Sequence, residues 1–439
     1  MHEIRHKMSR YFIKTFGCKV NQVESDDLRA ALAQHGMQHV SDSTEANFVI
    51  VNTCTVTGEA DRKVRKELRK SARLSNVSAV LVTGCLANLN SDKLESSDEK
   101  IKVVSDQALI PDILVDLSSN LSIAEDEGHD FATDTQNPSK NSSPEQNDVS
   151  ASPIATPQER IRVPVKVQDG CEDFCSYCIV PFARGGCSSV SADKVIAKIQ
   201  QLAELGTKEA VLTGINLGNY TDLSDSGCAN IPQLLRRIQI ETDMHRIRLS
   251  SIEPRHITDE LLGILAEEDS ILCEHLHIPL QSGSDYVLGD MNRNYTAAEF
   301  LKTVEKIRKA KAHTAITTDI IVGYPNESEE DFQATLELAQ KVSFAKTHIF
   351  RYSSREGTAA AKLKPLNPEL IKSRAQTLQK QASLDALRYQ ESRVGQQLEL
   401  VIESTDKKLS TITGTTREYL RLTLPSAKYE VGDLALIEY

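Results

Sequence analysis

The most concentrated potential for chemistry in this chain of 439 residues lies in three cysteines, Cys171, Cys175 and Cys178, in the run Gly170-Cys171-Glu172-Asp173-Phe174-Cys175-Ser176-Tyr177-Cys178. Three thiolates at C-x3-C-x2-C spacing can ligate three irons of a [4Fe-4S] cluster and leave the fourth iron open to a small molecule. A zinc site is the alternative reading. Zinc sites usually join C-x2-C to a second ligand pair, and no such pair follows here.

Cys18, Cys54 and Cys85 share a different pattern. Each closes an apolar run: Tyr11 to Gly17, Phe48 to Thr53, and Val80 to Gly84. Such runs read as buried strands. The helical patterns between them make the strands parallel. Loops at the carboxyl ends of parallel strands converge on one edge, where ligands bind. The three cysteines are therefore expected to meet in space. Cys187, Cys228 and Cys273 share no local pattern and read as small hydrophobes. His275 and His277 flank a strand and read as packing residues.

The elements that position these groups can be sketched from periodicity. Residues 1–116 alternate strand and helix, predicting a flavodoxin-like parallel sheet. Residues 117–160 are polar and acidic, and predict a flexible linker. Residues 161–366 hold six strand–helix units, predicting an α/β partial (β/α)6 barrel. Its first cysteine triad falls just after the first strand, at the end of the barrel where active sites lie. Residues 367–392 read as a connecting helix. Residues 393–439 carry short alternating strands, predicting a small OB-like β barrel.

The net charge is −11, and between Asp116 and Ser150 eight acids face one base. A local basic face elsewhere remains compatible with that total. No stretch is apolar enough to span a membrane, and the N-terminal residues lack an apolar signal core. The expectation is a cytoplasmic protein with no membrane partner. Nine cysteines in a reducing compartment point to metal or catalysis rather than disulfides.

Beyond the cysteines, several blocks carry a family resemblance: Phe16-Gly17-Cys18-Lys19-Val20-Asn21-Gln22, Val51-Asn52-Thr53-Cys54, Leu212-Thr213-Gly214-Ile215-Asn216, His277-Ile278-Pro279-Leu280-Gln281-Ser282-Gly283 and Tyr352-Ser353-Ser354-Arg355-Glu356-Gly357-Thr358. The chain resembles the methylthiotransferases, radical S-adenosylmethionine (SAM) enzymes with an N-terminal cluster domain, a central barrel and a C-terminal RNA-binding TRAM domain. The resemblance implies two [4Fe-4S] clusters. One, at Cys171, Cys175 and Cys178, would chelate SAM and yield a 5′-deoxyadenosyl radical. The other, auxiliary cluster, at Cys18, Cys54 and Cys85, would take part in sulfur donation. A C–H bond would become C–S–CH3 at the expense of two SAM molecules. The implied partners are a tRNA anticodon stem-loop and an electron donor such as flavodoxin or ferredoxin.

The run Gly17 to Ser25 and the segment Tyr352 to Thr358 resemble the group acting on N6-threonylcarbamoyladenosine, so C2-methylthiolation of that nucleoside is expected. Isopentenyladenosine as the target, or a non-catalytic RNA-binding iron–sulfur protein, are the alternatives.

Other site candidates follow from position. Tyr177 either packs on the SAM adenine or serves structure. Thr213, Gly214, Ser250, Ser251, Glu253 and Gln281 end barrel strands, where SAM contact and ordinary strand-end packing are both open. Arg184 either pairs with a ligand carboxylate or phosphate or fixes the cluster loop. Asp319 either holds a ribose hydroxyl, or Arg184, or a structural hydrogen bond. For RNA, Arg62, Arg65, Lys66, Arg69 and Arg73 share a helix face that could track phosphates. In the C-terminal region Lys407, Lys408, Arg417 and Arg421 are expected to cluster, with Tyr419 as a base-stacking candidate.

Overall fold

The computed structural model describes residues 9–127, 160–225, 227–426 and 428–439. The chain divides into two compact units, an N-terminal one and a second that runs on to the C-terminus.

The N-terminal unit is built on a five-stranded parallel sheet. Its strands are β1 (Arg10–Thr15), β2 (Gln38–His39), β3 (Phe48–Thr53), β4 (Ala79–Gly84) and β5 (Ile101–Val103), ordered β2-β1-β3-β4-β5. Helices α1 (Lys19–Gln34), α2 (Gly58–Ala72), α3 (Cys85–Glu95) and α4 (Ile110–Glu127) connect them. Strands β3 and β4 are buried along their whole length, as near-continuous apolar runs in a sheet covered on both faces must be. One face packs on Leu28, Leu32, Ile110 and Leu114, the other on Val64, Leu68 and Leu86.

The expected linker needs a correction at its start. Helix α4 runs on to Glu127, and Leu117 packs on the sheet core. The apolar spacing Ile113, Leu114, Leu117 sustains the helix past the point where composition turns polar. Residues 128–159, where the rest of the linker reading falls, lie outside the described residues.

The second unit opens with β6 (Arg162–Lys166), followed by the short hairpin β7 (Gln168–Asp169) and β8 (Ser188–Ser189) with α5 (Val180–Arg184) between them. Then α6 (Ala192–Glu204), β9 (Glu209–Thr213), α7 (Ile231–Glu241), β10 (Arg246–Leu249), α8 (Asp259–Ala266), β11 (His275–His277), α9 (Asp285–Asp290), α10 (Ala297–Ala310), β12 (Ala315–Val322), α11 (Glu329–Val342) and β13 (Lys346–Arg351) alternate. The strands pair in parallel as β6-β9-β10 and β11-β12-β13, and single bridges Ile247–Leu272 and Ser251–His277 join the two halves. This is the six-stranded open barrel that the alternation predicts. Helix α12 (Pro368–Glu391) follows. The chain ends in a four-stranded antiparallel sheet of β14 (Gln397–Asp406), β15 (Thr411–Thr416), β16 (Arg421–Pro425) and β17 (Leu434–Glu438), ordered β16-β15-β14-β17. A register break between Ile402 and Ser404 bends its long strand.

The C-terminal sheet docks on the amino ends of the barrel strands. Arg246 and Arg248, both fully buried, grip Glu209 at 2.7 Å and donate to the carbonyl oxygens of Thr415, Thr416 and Arg417. Arg162 pairs with Glu403 and Arg417 with Glu274. A buried charge needs such complete pairing. Burial alone would push Glu209 up, but the two guanidinium groups outweigh it and hold the carboxyl down to about 2.

Candidate functional site

Two cysteine triads occupy strand carboxyl ends, one in each unit. In the N-terminal unit Cys18 precedes α1, Cys54 follows β3, and Cys85 opens α3 directly after β4. Because β1, β3 and β4 are neighbours in the sheet, all three residues sit on one edge. Two glycines with positive φ allow the approach. A Cβ on Gly17 (φ +115°) would stand 2.7 Å from Cys54 Cβ, and one on Gly84 (φ +87°) would stand 2.5 Å from Asn52 Oδ1.

A buried polar hub braces this edge. Asn21 Nδ2 donates to Asn52 Oδ1 and to the Thr53 carbonyl, and Asn52 Nδ2 donates back to the Asn21 carbonyl. The Cys18 thiol donates to Asn21 Oδ1 at 3.3 Å. Thr53 Oγ1 accepts the amides of Leu86 and Ala87, fixing the start of α3 behind Cys85. Asn21, Asn52 and Thr53 were within reach of sequence reasoning, since each lies one to three residues from a cysteine in a run that reads as buried.

In the second unit the triad loop leaves β7 and returns through α5. Gly170 (φ +71°) is required there, since a Cβ would lie 1.9 Å from the Gly186 carbonyl oxygen. The loop is fastened by Cys171 N to Gly185 O, Ser176 N to Met291 O, and Ala360 N to Ser176 O. The Ser176 and Tyr324 hydroxyls are 2.9 Å apart.

Burial pushes the Cys171 thiol up to about 12, and the nearby Asp173 charge adds to this. It pushes Cys178 up to about 11. The Cys175 thiol is also raised by burial, against the opposing charge of Arg293. Three half-buried thiols with neighbouring backbone N–H groups, those of Asp173 for Cys171 and Val180 for Cys178, form a donor set that a positive centre would convert to thiolates. The soft, all-sulfur chemistry fits iron–sulfur ligation. Among the described residues, no group of three His, Cys, Asp or Glu side chains closes around a single-ion position.

The remaining predicted residues fall into place unevenly. Arg184 does not meet Asp319. Its Nη1 donates to both oxygens of Asp169 at 3.0 and 3.1 Å, so it fixes the cluster loop. Burial raises Asp169, but Arg184 and Lys166 outweigh it and keep the carboxyl below its ordinary value. Asp319 instead faces His277 Nε2 at 3.3 Å. Tyr177 packs beside Val287, Met291, Ile321, Tyr324 and Ala360. Thr213 Oγ1 donates to its own strand at the Val211 carbonyl. Gly214 lies under the buried Gln168 side chain, where a Cβ would stand 2.8 Å from Oε1, and its amide donates to Ser250 Oγ. Ser251 bridges to His277. Gln281 holds a left-handed φ of 64° and joins the backbone of Asp319 and Ile321. Glu253 pairs with Arg293 at 2.7 Å and Arg255 at 3.4 Å.

Two neighbours of the loop escaped sequence reasoning. Asp173 is gripped by Arg255 at 2.5 Å and Asn216 at 2.8 Å. Burial raises it, but the Arg255 hydrogen bond and charge prevail and hold it low. Arg293 donates to Cys175 Sγ at 3.2 Å. Nothing in their local sequence marks Arg255 or Arg293.

The RNA candidates separate into two sets. On α2, Val64 and Leu68 face the core, while Arg62, Lys66 and Arg69 are exposed and Arg65 is half-buried; Arg73, in the turn directly after the helix, is exposed. The C-terminal cluster does not form. Arg417 is turned into the barrel, donating to the Ser270 and Leu272 carbonyls. Tyr419 stacks on His275, with Arg248 and Arg162 guanidinium carbons 5.2 and 5.9 Å from its ring. Lys407 and Lys408 lie in the exposed β14–β15 turn. Arg421 pairs with Thr415 and Thr411 with Pro425, which separates Arg421 from that turn by roughly 13 Å at the usual rise per residue.

An open parallel barrel with a C-x3-C-x2-C loop after its first strand defines a radical SAM enzyme. Residues 165–339 match the Radical SAM superfamily, and residues 10–106 match a family described as uncharacterized protein family UPF0004. A threonylcarbamoyladenosine tRNA methylthiotransferase MtaB of Thermotoga maritima is 36% identical, covering 89% of this chain and 86% of its own. The protein of that name from Bacillus subtilis is 33% identical over 98% and 94%. A tRNA-2-methylthio-N(6)-dimethylallyladenosine synthase of Caldicellulosiruptor saccharolyticus is also 33% identical, over 94% and 86%. Among solved structures, the radical SAM methyltransferase TsrM from Kitasatospora setae shares the fold, with a TM-score of 0.53 at 16% identity over 78% of this chain and 72% of that one. The chain belongs to the radical SAM methylthiotransferase family, with SAM and iron–sulfur clusters as its cofactors.

Proposed function

We propose that this enzyme converts N6-threonylcarbamoyladenosine beside the tRNA anticodon to its 2-methylthio derivative. The observation that carries this reading is the likeness to the MtaB proteins across nearly the whole chain, together with the run Gly17 to Ser25. Similar identity to a dimethylallyladenosine synthase keeps isopentenyladenosine as the second reading.

Cys171, Cys175 and Cys178 would hold the SAM-binding cluster, and Cys18, Cys54 and Cys85 the auxiliary one. When bound, the first cluster supplies an electron to the SAM sulfonium. The chain's own residues position that chemistry. Asp169 and Arg184 clamp the loop, Asn21 and Asn52 brace the N-terminal edge, and the exposed face of α2 offers phosphate contacts. The C-terminal sheet takes the TRAM position. An electron donor such as flavodoxin or ferredoxin completes the system, in the cytoplasm where tRNA resides.

The test is a mass-spectrometric nucleoside profile of tRNA from host cells with and without the gene. Loss of 2-methylthio-threonylcarbamoyladenosine, restored by wild type but not by Cys175→Ala, is the expected result. Loss of 2-methylthio-isopentenyladenosine in its place moves the substrate to the second reading. No change in either sinks tRNA methylthiolation.

A further inference from the structure

The turn after α9 reaches across the barrel mouth to the cysteine loop. Helix α9 ends at Asp290, and Asn292 takes a left-handed φ of 58°. The Arg293 amide then closes back on the Leu288 carbonyl, a left-handed helix stop of the kind asparagine tolerates. This turn holds the loop at several points: Met291 O accepts from Ser176 N, and Asn292 Nδ2 donates to the carbonyls of Asp173 and Phe174. It also delivers Arg293, 118 residues from Cys175 in sequence, to 3.2 Å from that sulfur.

Arg293 is nearly fully buried and is held from three sides. Glu253 Oε1 lies 2.7 Å from its Nη2. The Tyr295 hydroxyl accepts from Nε at 3.3 Å, and the Tyr295 ring lies 5.1 Å from the guanidinium carbon. Its charge is felt at Cys178 and Tyr177 as well as at Cys175.

We propose that Arg293, balanced by Glu253, sets how readily the cluster held by Cys171, Cys175 and Cys178 accepts its electron. The inference rests on the family reading for the cluster itself. The step adds one electron from a low-potential one-electron donor, with no bond made or broken. That electron increases the negative charge carried by the cluster and its thiolates. An N–H donor and a buried cation at Cys175 favour the reduced form, and the Glu253 carboxylate opposes them. Arg293 acts through Cys175 and is a positioning residue.

The experiment is an EPR-monitored titration with dithionite of the anaerobically reconstituted full chain. Cys18, Cys54 and Cys85 are changed to Ala so that one cluster contributes. Arg293→Met is expected to move the midpoint to more negative potential, Glu253→Gln to less negative potential, and Arg293→Lys to stay near the parent. Bound iron per chain is measured for each. Shifts of the same sign in Arg293→Met and Glu253→Gln, or no shift at equal iron content, overturn the proposal. So does an unchanged midpoint with weakened SAM binding, which makes Arg293 a ligand contact. If Arg293→Met loads no cluster, Glu253→Gln decides by the sign of its shift, with an unmoved or more negative midpoint overturning the proposal. A parent protein that loads no reducible cluster sinks the family reading instead.

Discussion

Tyr419 of the C-terminal sheet lies flat against His275 of the barrel, ring centroids 4.2 Å apart and planes inclined by 20°. Arg248, Arg162 and Lys346 stand around the same ring, and Tyr419 holds a left-handed φ of 66° to reach it. The residue that looks like a base-stacking platform is therefore spent on joining the sheet to the amino ends of the barrel strands. Tyr419→Ala removes the ring from a partly buried site and should cost about 2–4 kcal/mol, toward the lower side of aromatic truncations in cores. Hydrogen exchange should show faster opening of β14–β17, while the exposed Arg421→Ala stays within about 0.5 kcal/mol of wild type. Unchanged exchange in Tyr419→Ala would remove the ring from the docking interface.

Glu209 gives that interface a pH dependence. Its carboxyl is held down to about 2 from an ordinary 4.5 by Arg248 and Arg246, against the cost of burial. A depressed carboxyl contributes stability that is present above pH 4.5 and is lost as the pH falls toward 2. The shift corresponds to about 3 kcal/mol. Denaturant titrations followed by circular dichroism at pH 7, 5 and 3 should show wild type losing more stability between pH 5 and 3 than Glu209→Gln, by about 2 kcal/mol, the rest of the contribution being lost only below pH 3. The Gln variant should already be weaker at pH 7, since it removes the carboxylate that pairs with buried Arg248 and leaves buried Arg246 with only Glu399 at 3.2 Å, at a cost of about 3–5 kcal/mol. Equal acid sensitivity in the two proteins would show that Glu209 is not the sensor.

The sequence made the strands and the six cysteines legible because both are local. An apolar run has a period, and a cysteine spacing has a count. The helical spacing of residues 329–342 and the alternation of residues 434–438 coincide with helix α11 and strand β17. What stayed hidden depends on distant segments meeting. Arg417 and Tyr419 sit in a strand-rich, polar stretch that reads as solvent-facing, and only docking buries them. Arg293 has no pattern linking it to Cys175, and the left-handed turn at Asn292 supplies the link. Fixing the loop is one of the two roles the sequence leaves open for Arg184, but the carboxylate it takes, Asp169, 15 residues away, is not marked by any local pattern. The overlong linker reading failed because composition was weighed over the spacing of Ile113, Leu114 and Leu117.

Arg184→Ala should loosen the cysteine loop without touching a cysteine. It leaves Asp169 partly buried beside Lys166 alone, and the hairpin that sets the Cys171 position loses its main clamp. Residues that orient metal ligands typically contribute 10- to 100-fold in metal affinity. Iron retained at that cluster after challenge with a chelator should therefore fall on that scale in Arg184→Ala, and also in Asp169→Asn. The double variant should be no worse than the poorer single, as expected for two residues acting as one unit. Additive losses would mean that each holds the loop by a separate contact.

With Arg417 and Tyr419 committed to docking, the exposed face of α2 is the denser of the two basic candidates for phosphate contact, beside Lys407, Lys408 and Arg421 of the C-terminal sheet. Arg62, Lys66, Arg69 and Arg73 project from the side opposite Val64 and Leu68. Replacing them with Gln keeps helix propensity and removes only charge. If they contact phosphates, each substitution lowers the slope of log affinity against log salt by about 0.7–0.9. The loss should be similar for cognate and unrelated tRNAs, because phosphate contacts carry no sequence information. Fluorescence anisotropy with labelled tRNA over a potassium chloride series measures both quantities. The same series on Lys407→Gln, Lys408→Gln and Arg421→Gln scores the C-terminal sheet. A salt slope unmoved by the α2 substitutions would return that helix face to plain solvation and leave the hairpin-turn lysines as the stronger candidates.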